Sequence, residues 1–217
     1  MANSFQEEQE RPELVTVAEL AENLVYRLPG CTDLMIRKAI QDVCREFCRE
    51  TKCLTADRVL PLEDGETDYP VTPVYGGIVG EVREVSLCGR RLVGGRDFCL
   101  STGSCVVVRL DRRFVQPEGN VPPAEEHIHG RERHLRVRAT EYPKLGSERV
   151  PSWFVARHGE AVCSGVLARL CAMTGRAWTD PSVAADERLR YENAKSEARM
   201  FREVPPGGRF IDTSHIL

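Results

Sequence analysis

The densest chemistry in this sequence lies between Glu125 and His134, where Glu125, Glu126, His127, His129 and His134 fall close together. Two histidines one residue apart share a face of an extended chain, and neighbouring carboxylates can complete a hard or borderline metal site of the kind a metal-dependent hydrolase uses. The spacing matches no zinc pattern, and a solvated polar loop accounts for the same residues. Nine cysteines, at positions 31, 44, 48, 53, 88, 99, 105, 163 and 171, form an odd set without a CxxC pair. Cys44, Cys48 and Cys53 are spaced for neither a zinc knuckle nor a redox pair, so the expectation is reduced thiols acting as small hydrophobes. There is no GxSxG elbow and no P-loop, and Gly76-Gly77-Ile-Val-Gly80 and Gly94-Gly95 read as turns. Arginines at 109, 112, 113, 131, 133, 136 and 138 concentrate charge in one region. Placed around a ring, Arg109, Arg112, Arg113, Arg136 and Arg138 would line a DNA passage; on a single strand face they are a solvated surface. No catalytic residue, cofactor or resident metal is assigned, and the chain is read as a non-enzyme.

The elements that must position these residues begin with Arg27 to Cys53. Pro29-Gly30 stops what precedes, Thr32 or Asp33 caps, and Ile36, Ile40, Val43 and Phe47 recur at helical spacing, widened by Cys44 and Cys48. Before it, Thr16 and Glu19 form a capping box opening a helix whose stripe is Val17, Leu20, Leu24 and Leu28. From Asp57 to Tyr142 the period changes to alternation punctuated by Gly and Pro. Arg58–Leu62 reads as a strand, Glu81–Cys88 and Arg91–Val93 as a hairpin about Cys88-Gly89-Arg90, and Cys105–Leu110 as the most apolar strand. His134–Thr140 alternates, with Leu135, Val137 and Ala139 inward and His134, Arg136, Arg138 and Thr140 outward. These make one small antiparallel sheet, and residues 116–132 a projecting loop.

Helix returns with Ser152 as cap, carrying Ala156, Val162, Cys163, Val166, Leu167, Leu170 and Cys171 to a stop at Gly175, and Gly159 and Gly165 predict close approach of a neighbouring helix. Asp180-Pro181 starts a last helix with Ala184, Tyr191, Ala194, Ala198 and Phe201 in its stripe. Pro205-Pro206-Gly207-Gly208 ends it and leaves an apolar tail with Phe210, Ile211, Ile216 and Leu217, suited to docking into a partner.

The fold class expected is α+β: a helical bundle of about four helices (14–56 and 150–202), an inserted small antiparallel β region (57–142), a flexible arm (1–13) and an extended C-terminal tail (203–217). A formal charge of −3 and pI near 6.0 give no global electrostatic footprint for holding nucleic acid. The start, MANSFQEEQERPEL, is polar and acidic where a signal peptide is basic and then apolar, and no apolar run approaches bilayer length. The expectation is a soluble chain, intracellular at synthesis, with no membrane partner.

Three stretches in succession carry a family resemblance. They are Leu28-Pro-Gly-Cys-Thr-Asp33 leading into Ile36, Ala39-Ile40 and Phe47-Cys48; Gly65-Glu-Thr-Asp-Tyr69-Pro70; and Ala177-Trp178-Thr-Asp180-Pro181. Over residues 16–202 the chain resembles head-to-tail adaptor (neck or connector) proteins of tailed phages, in the class that includes the tail accessory and tubular adaptors of short-tailed phages. The resemblance implies a structural virion protein assembled in the host cytoplasm. Its subunits would form a homo-oligomeric ring, a dodecamer, that extends the portal channel and passes double-stranded DNA during packaging and ejection. It also implies that the tail, through Phe210, Ile211, Ile216 and Leu217, docks onto the portal protein, while residues 57–142 face the downstream tail or nozzle protein. The alternatives from other classes are a metal-dependent hydrolase using residues 125–134 and a DNA-binding regulatory module.

Overall fold

The computed structural model describes residues 13–102, 105–115 and 133–200. Among them the fold is mixed α+β, with four α-helices and antiparallel sheets. Residues 13–54, 74–78 and 142–200 form one compact unit; the described parts of 55–73 and 79–141 form another.

The first unit contains β1 (Leu14–Thr16), α1 (Ala18–Val25), α2 (Asp33–Thr51), β9 (Arg149–Pro151), α3 (Ser152–Leu170) and α4 (Pro181–Met200). The second helix forms as its sequence dictates. Gly30 takes a positive φ of 85°, the Thr32 hydroxyl accepts from the Met35 amide at 3.4 Å, and Lys52 closes the helix in the left-handed conformation. Its stripe of Ile36, Ile40, Val43 and Phe47 is wholly buried, and Cys44 and Cys48 lie in the same core. Val17, Leu20, Leu24 and Leu28 join it from the α1 segment.

Four local expectations are corrected. Thr16 does not cap α1: Leu14–Thr16 pairs antiparallel with Arg149–Pro151, and the Val17 amide donates to the Glu148 carbonyl, so the backbone stays extended and the helix starts at Ala18 without a side-chain cap. Ser152 is the first helical residue rather than the cap, because its amide is already met by the Glu13 carbonyl at 2.9 Å. The third helix ends at Leu170, and Gly175, with φ 71°, belongs to the turn before α4. Ala156 faces solvent, while Phe154 and His158 fill the core positions nearby. The start of α4 is as expected, Asp180 accepting from the amides of Ser182 and Val183 at 3.1 Å each.

Both helical glycines sit where neighbours come close. A Cβ on Gly165 would stand 2.7 Å from Val43 Cγ1 and 2.9 Å from Tyr191 Cε2, and one on Gly159 3.3 Å from Leu20 Cδ2. The thin stripe of α4 therefore packs directly on α3. Two charged residues share that stripe: Glu187 and Lys195 are buried beside Ala184, Tyr191 and Ala198. Lys195 Nζ bonds Glu192 at 2.7 Å and Glu50 at 2.9 Å and lies 4.7 Å from the Tyr191 ring centroid. Burial pulls its pKa down, but these carboxylates outweigh burial and hold it above the ordinary lysine value.

The second unit holds two sheets where the sequence suggests one. β2 (Thr55–Pro61), β8 (His134–Tyr142), β4 (Ile78–Leu87) and β5 (Arg90–Arg91) are ordered β2-β8-β4-β5, and β3 (Asp68–Val71), β7 (Val106–Leu110) and β6 (Phe98–Thr102) are ordered β3-β7-β6. Tyr69-Pro70 and Phe98–Thr102, both unassigned as strands from the sequence, pair on either side of β7 and draw it away from β8. Val106, Val108 and Leu110 share one core with Val85, Leu87, Leu135, Val137 and Ala139. The hairpin at Cys88-Gly89 has φ of 48° and 88° with Leu87 opposite Arg90, the primed turn that suits strand twist. Thr140 is buried rather than outward, its hydroxyl accepting from the Glu81 amide at 2.8 Å.

Asp97 ties the turn before β6 together. It accepts from Arg96 Nε at 3.0 Å, from the Val93 amide at 2.9 Å and from Arg113 Nη2 at 2.6 Å. The Arg96 hydrogen bond, the Val93 amide and the two guanidinium charges hold its pKa down at about 2, against an ordinary 3.8. A depressed carboxylate stabilises the fold above its unfolded pKa and loses that contribution as pH falls through the folded value. Unfolding midpoints of wild type should thus fall more steeply between pH 3.8 and about 2 than those of Asp97→Asn. Parallel profiles would remove Asp97 from the acid response.

Candidate functional site

Four of the five arginines expected to line a DNA passage are held by carboxylates. Arg109 grips Asp68 bidentately at 2.6 and 2.8 Å. Arg113 reaches Asp97 and stacks 4.9 Å from the Phe114 centroid. Arg136 at 3.0 Å and Arg138 at 2.7 Å converge on Asp57, with Glu84 3.8 Å from Arg138. Burial alone would raise the Asp57 pKa, but Arg138 and Arg136 overcome it and hold it below the ordinary value. Arg112, in the turn Arg112–Phe114, is exposed and makes no ion pair among the described residues.

Of the Glu/His cluster, His134 is the exposed first residue of β8, while Glu125, Glu126, His127 and His129 lie outside the described residues. Phe210, Ile211, Ile216 and Leu217 also lie outside them. Among the described residues no group of three or more His, Cys, Asp or Glu side chains is placed to hold a metal, and no helix is long and apolar enough to cross a membrane.

All nine cysteines are free thiols, and Cys44, Cys48, Cys53 and Cys171 are buried. Cys53 stands apart electrostatically: a hydrogen bond from Cys48, aided by His158 and Thr51, pulls its pKa below the ordinary thiol value against the push of burial. Burial, with Cys53 beside it, drives Cys48 the other way. Both sulfurs sit in the helical core, closed to any substrate.

An open site exists that the sequence did not reveal. A groove of about 680 Å³ is lined by α1, α3 and α4. Leu20 and Leu24 on α1 and Val155 on α3 give it an apolar part, and Arg27, Ser164, Glu187 and Arg190 a polar part. Glu187 is only 3% exposed. Its Oε1 takes Arg27 Nη2 at 2.6 Å, with Arg190 Nη1 3.7 Å away, while Oε2 is shielded from solvent and makes no hydrogen bond within the protein. Burial pushes the Glu187 carboxyl up; the Ser164 hydroxyl, Arg27 and Arg190 outweigh it, so the group is a carboxylate with its pKa below the ordinary value.

No family model and no curated protein matches this chain.

The groove offers an ionised carboxylate in Glu187 with the Ser164 hydroxyl and two guanidiniums beside it, a second carboxylate in Glu160, and an apolar wall. One residue of the groove, though not the groove itself, stands out in the sequence: in the last helix Glu187 falls on the Ala184, Tyr191, Ala198 stripe, a position where an apolar residue is the rule.

Proposed function

We propose that this chain is a structural head-to-tail adaptor of a tailed phage: a ring subunit that binds the portal protein, connects it to the downstream tail or nozzle protein and forms part of the DNA channel. On this reading the four helices are a bundle, residues 57–142 are a β elaboration inserted into it, and residues 203–217 are an extended tail that docks onto the portal. One observation carries it. Segments from both sides of the strand-rich middle, 13–54 and 142–200, pack into a single helical unit, and the middle of the chain mostly forms its own. That is the organisation which the resemblance to neck proteins implies.

The paired arginines are consistent with a channel wall. Affinity for a phosphate backbone comes from cations free to displace counterions. Here Asp57, Asp68 and Asp97 already neutralise most of them, so DNA would pass without being gripped.

The test is native mass or sedimentation of the chain alone and mixed with its portal protein. A stable complex with one chain per portal subunit is expected, and deletion of residues 203–217 is expected to leave the fold intact and abolish it. A chain that stays monomeric and ignores the portal, or a truncated chain that binds as well as the full one, sinks the reading or its tail assignment respectively.

A further inference from the structure

Cys48 and Cys53 signal no redox pair by their spacing, but the end of α2 brings them together. Lys52 stands in the left-handed conformation, φ 56° and ψ 30°, and its amide donates to the Cys48 carbonyl at 2.9 Å. In such a cap the residue after the left-handed one folds back onto the last turn of the helix, where an apolar contact commonly closes the motif. Here that contact is made by two thiols. Cys48 donates a hydrogen bond to the Cys53 sulfur, and both side chains are buried. The Thr51 hydroxyl accepts from the Cys53 amide at 3.4 Å and donates to the Phe47 carbonyl at 2.7 Å, which fixes the turn.

As a cap contact an aliphatic pair would serve equally well. A third group sets this one apart: the His158 ring, with its centroid 4.9 Å from that of Phe47 and 5.4 Å from that of Phe154, hydrogen-bonds the Cys53 sulfur. A thiol becomes a nucleophile as its thiolate, and the Cys48 and His158 hydrogen bonds favour the charged form at Cys53. A disulfide can join only side chains that already face each other at contact distance, and these two do.

We propose that Cys48 and Cys53 are a redox couple, which a hydroperoxide converts to a disulfide that latches the end of α2. The Cys53 sulfur attacks a peroxide oxygen as its proton passes to His158; the O–O bond breaks, and the departing hydroxide takes that proton and leaves as water. This gives a sulfenic acid at Cys53. The Cys48 sulfur then attacks the Cys53 sulfur, the S–OH bond breaks, and the hydroxide leaves as a second water with the Cys48 proton. The two thiols lose two electrons and the peroxide gains them. Hydrogen peroxide, little larger than water, enters through brief openings of the helix end, which need far less than global unfolding. The couple lies within the helical unit, at the point where the chain leaves it for β2, and is independent of the adaptor reading.

The test is mass mapping of the native full chain after hydrogen peroxide, with the protein then unfolded in an alkylating reagent and digested. Trypsin cuts after Arg45, Arg49, Lys52 and Arg58, so Cys44, Cys48 and Cys53 fall on separate peptides. The expected product is Glu46–Arg49 joined to Cys53–Arg58, exceeding any link through Cys44 by about tenfold or more because the partners are already oriented. In the oxidised chain, hydrogen exchange at the Lys52 and Cys53 amides should slow by about tenfold. Cys48→Ala should leave Cys53 as a sulfenic acid that a 1,3-dione reagent captures, whereas Cys53→Ala should leave Cys48 a thiol. Recovery of both residues as alkylated thiols while the exposed Cys99 and Cys105 are oxidised overturns the proposal without any variant. So does a disulfide from either residue to a different cysteine, and unchanged exchange at Lys52 in the linked protein removes the latch.

Discussion

Gly165→Ala should weaken the helical unit by about 1–3 kcal/mol even though alanine is the better helix former by about 1 kcal/mol. The methyl group would stand 2.7 Å from Val43 Cγ1 and 2.9 and 3.0 Å from Tyr191 Cε2 and Cδ2. Val43 lies on α2 and Tyr191 on α4, so the added carbon is wedged between two helices that both use α3 as their support. Neither neighbour can yield easily. Val43 is fully buried with a stiff β-branched side chain, and Tyr191 is a ring packed 6.0 Å from Phe47 and 4.7 Å from the Lys195 ammonium. Gly159→Ala is the internal control. Its Cβ meets Leu20 Cδ2 at 3.3 Å, the end of a flexible side chain, and Val155 Cγ1 at an ordinary 3.6 Å, so helix propensity should offset the contacts and leave stability nearly unchanged. Urea unfolding followed by the fluorescence of Trp153 and Trp178, both packed against the core of this unit, separates the two variants. Equal midpoints for wild type and Gly165→Ala would mean that α2 and α4 do not approach α3 this closely.

That close approach was readable in the sequence because a glycine weakens the middle of a long apolar helix, and a neighbour packed where its side chain would stand offsets that loss. The second helix was equally legible: its cap, stripe and stop are all local, and Thr32, Ile36 through Phe47 and the turn at Gly30 are as the spacing requires. What failed was what depends on a distant partner. Thr16 and Glu19 are a sound capping box in isolation, yet pairing of Leu14–Thr16 with Arg149–Pro151 keeps that backbone extended. Tyr69-Pro70 is too short a stretch to signal a strand by itself, and becomes one only with β7 laid beside it. The arginines between 109 and 138 look like a cationic surface in a linear reading, because Asp57, Asp68 and Asp97, which neutralise them, are remote in sequence or on other strands. The groove was hidden for the same reason. Arg27 and Glu187 are 160 residues apart and meet only after three helices have packed.

Arg58→Met should be the most damaging single change in the strand-rich unit, destabilising it by about 3–5 kcal/mol. Arg58 lies on the inner side of β2 with Ala56, is 4% exposed, and donates to Glu141, which has no exposure at all. It also donates to the carbonyls of Thr72 and Ala56. The pair follows from strand geometry: Leu135, Val137 and Ala139 alternate inward along β8, and the next inward position is Glu141. A carboxylate forced inward by register needs a cation from the neighbouring strand, and β2, paired antiparallel with β8, supplies it. Losing the arginine leaves that carboxylate buried without its counter-charge, whereas losing both charges removes the difficulty along with the bond. The double variant Arg58→Met with Glu141→Leu should therefore recover much of the loss, so that the two single costs sum to more than the double cost. Hydrogen exchange at the amides of β2 and β8, or urea unfolding by far-ultraviolet circular dichroism, measures all three variants. A double variant no more stable than Arg58→Met would show that Glu141 gains little from the guanidinium, and that the damage comes from the uncovered carbonyls of Thr72 and Ala56.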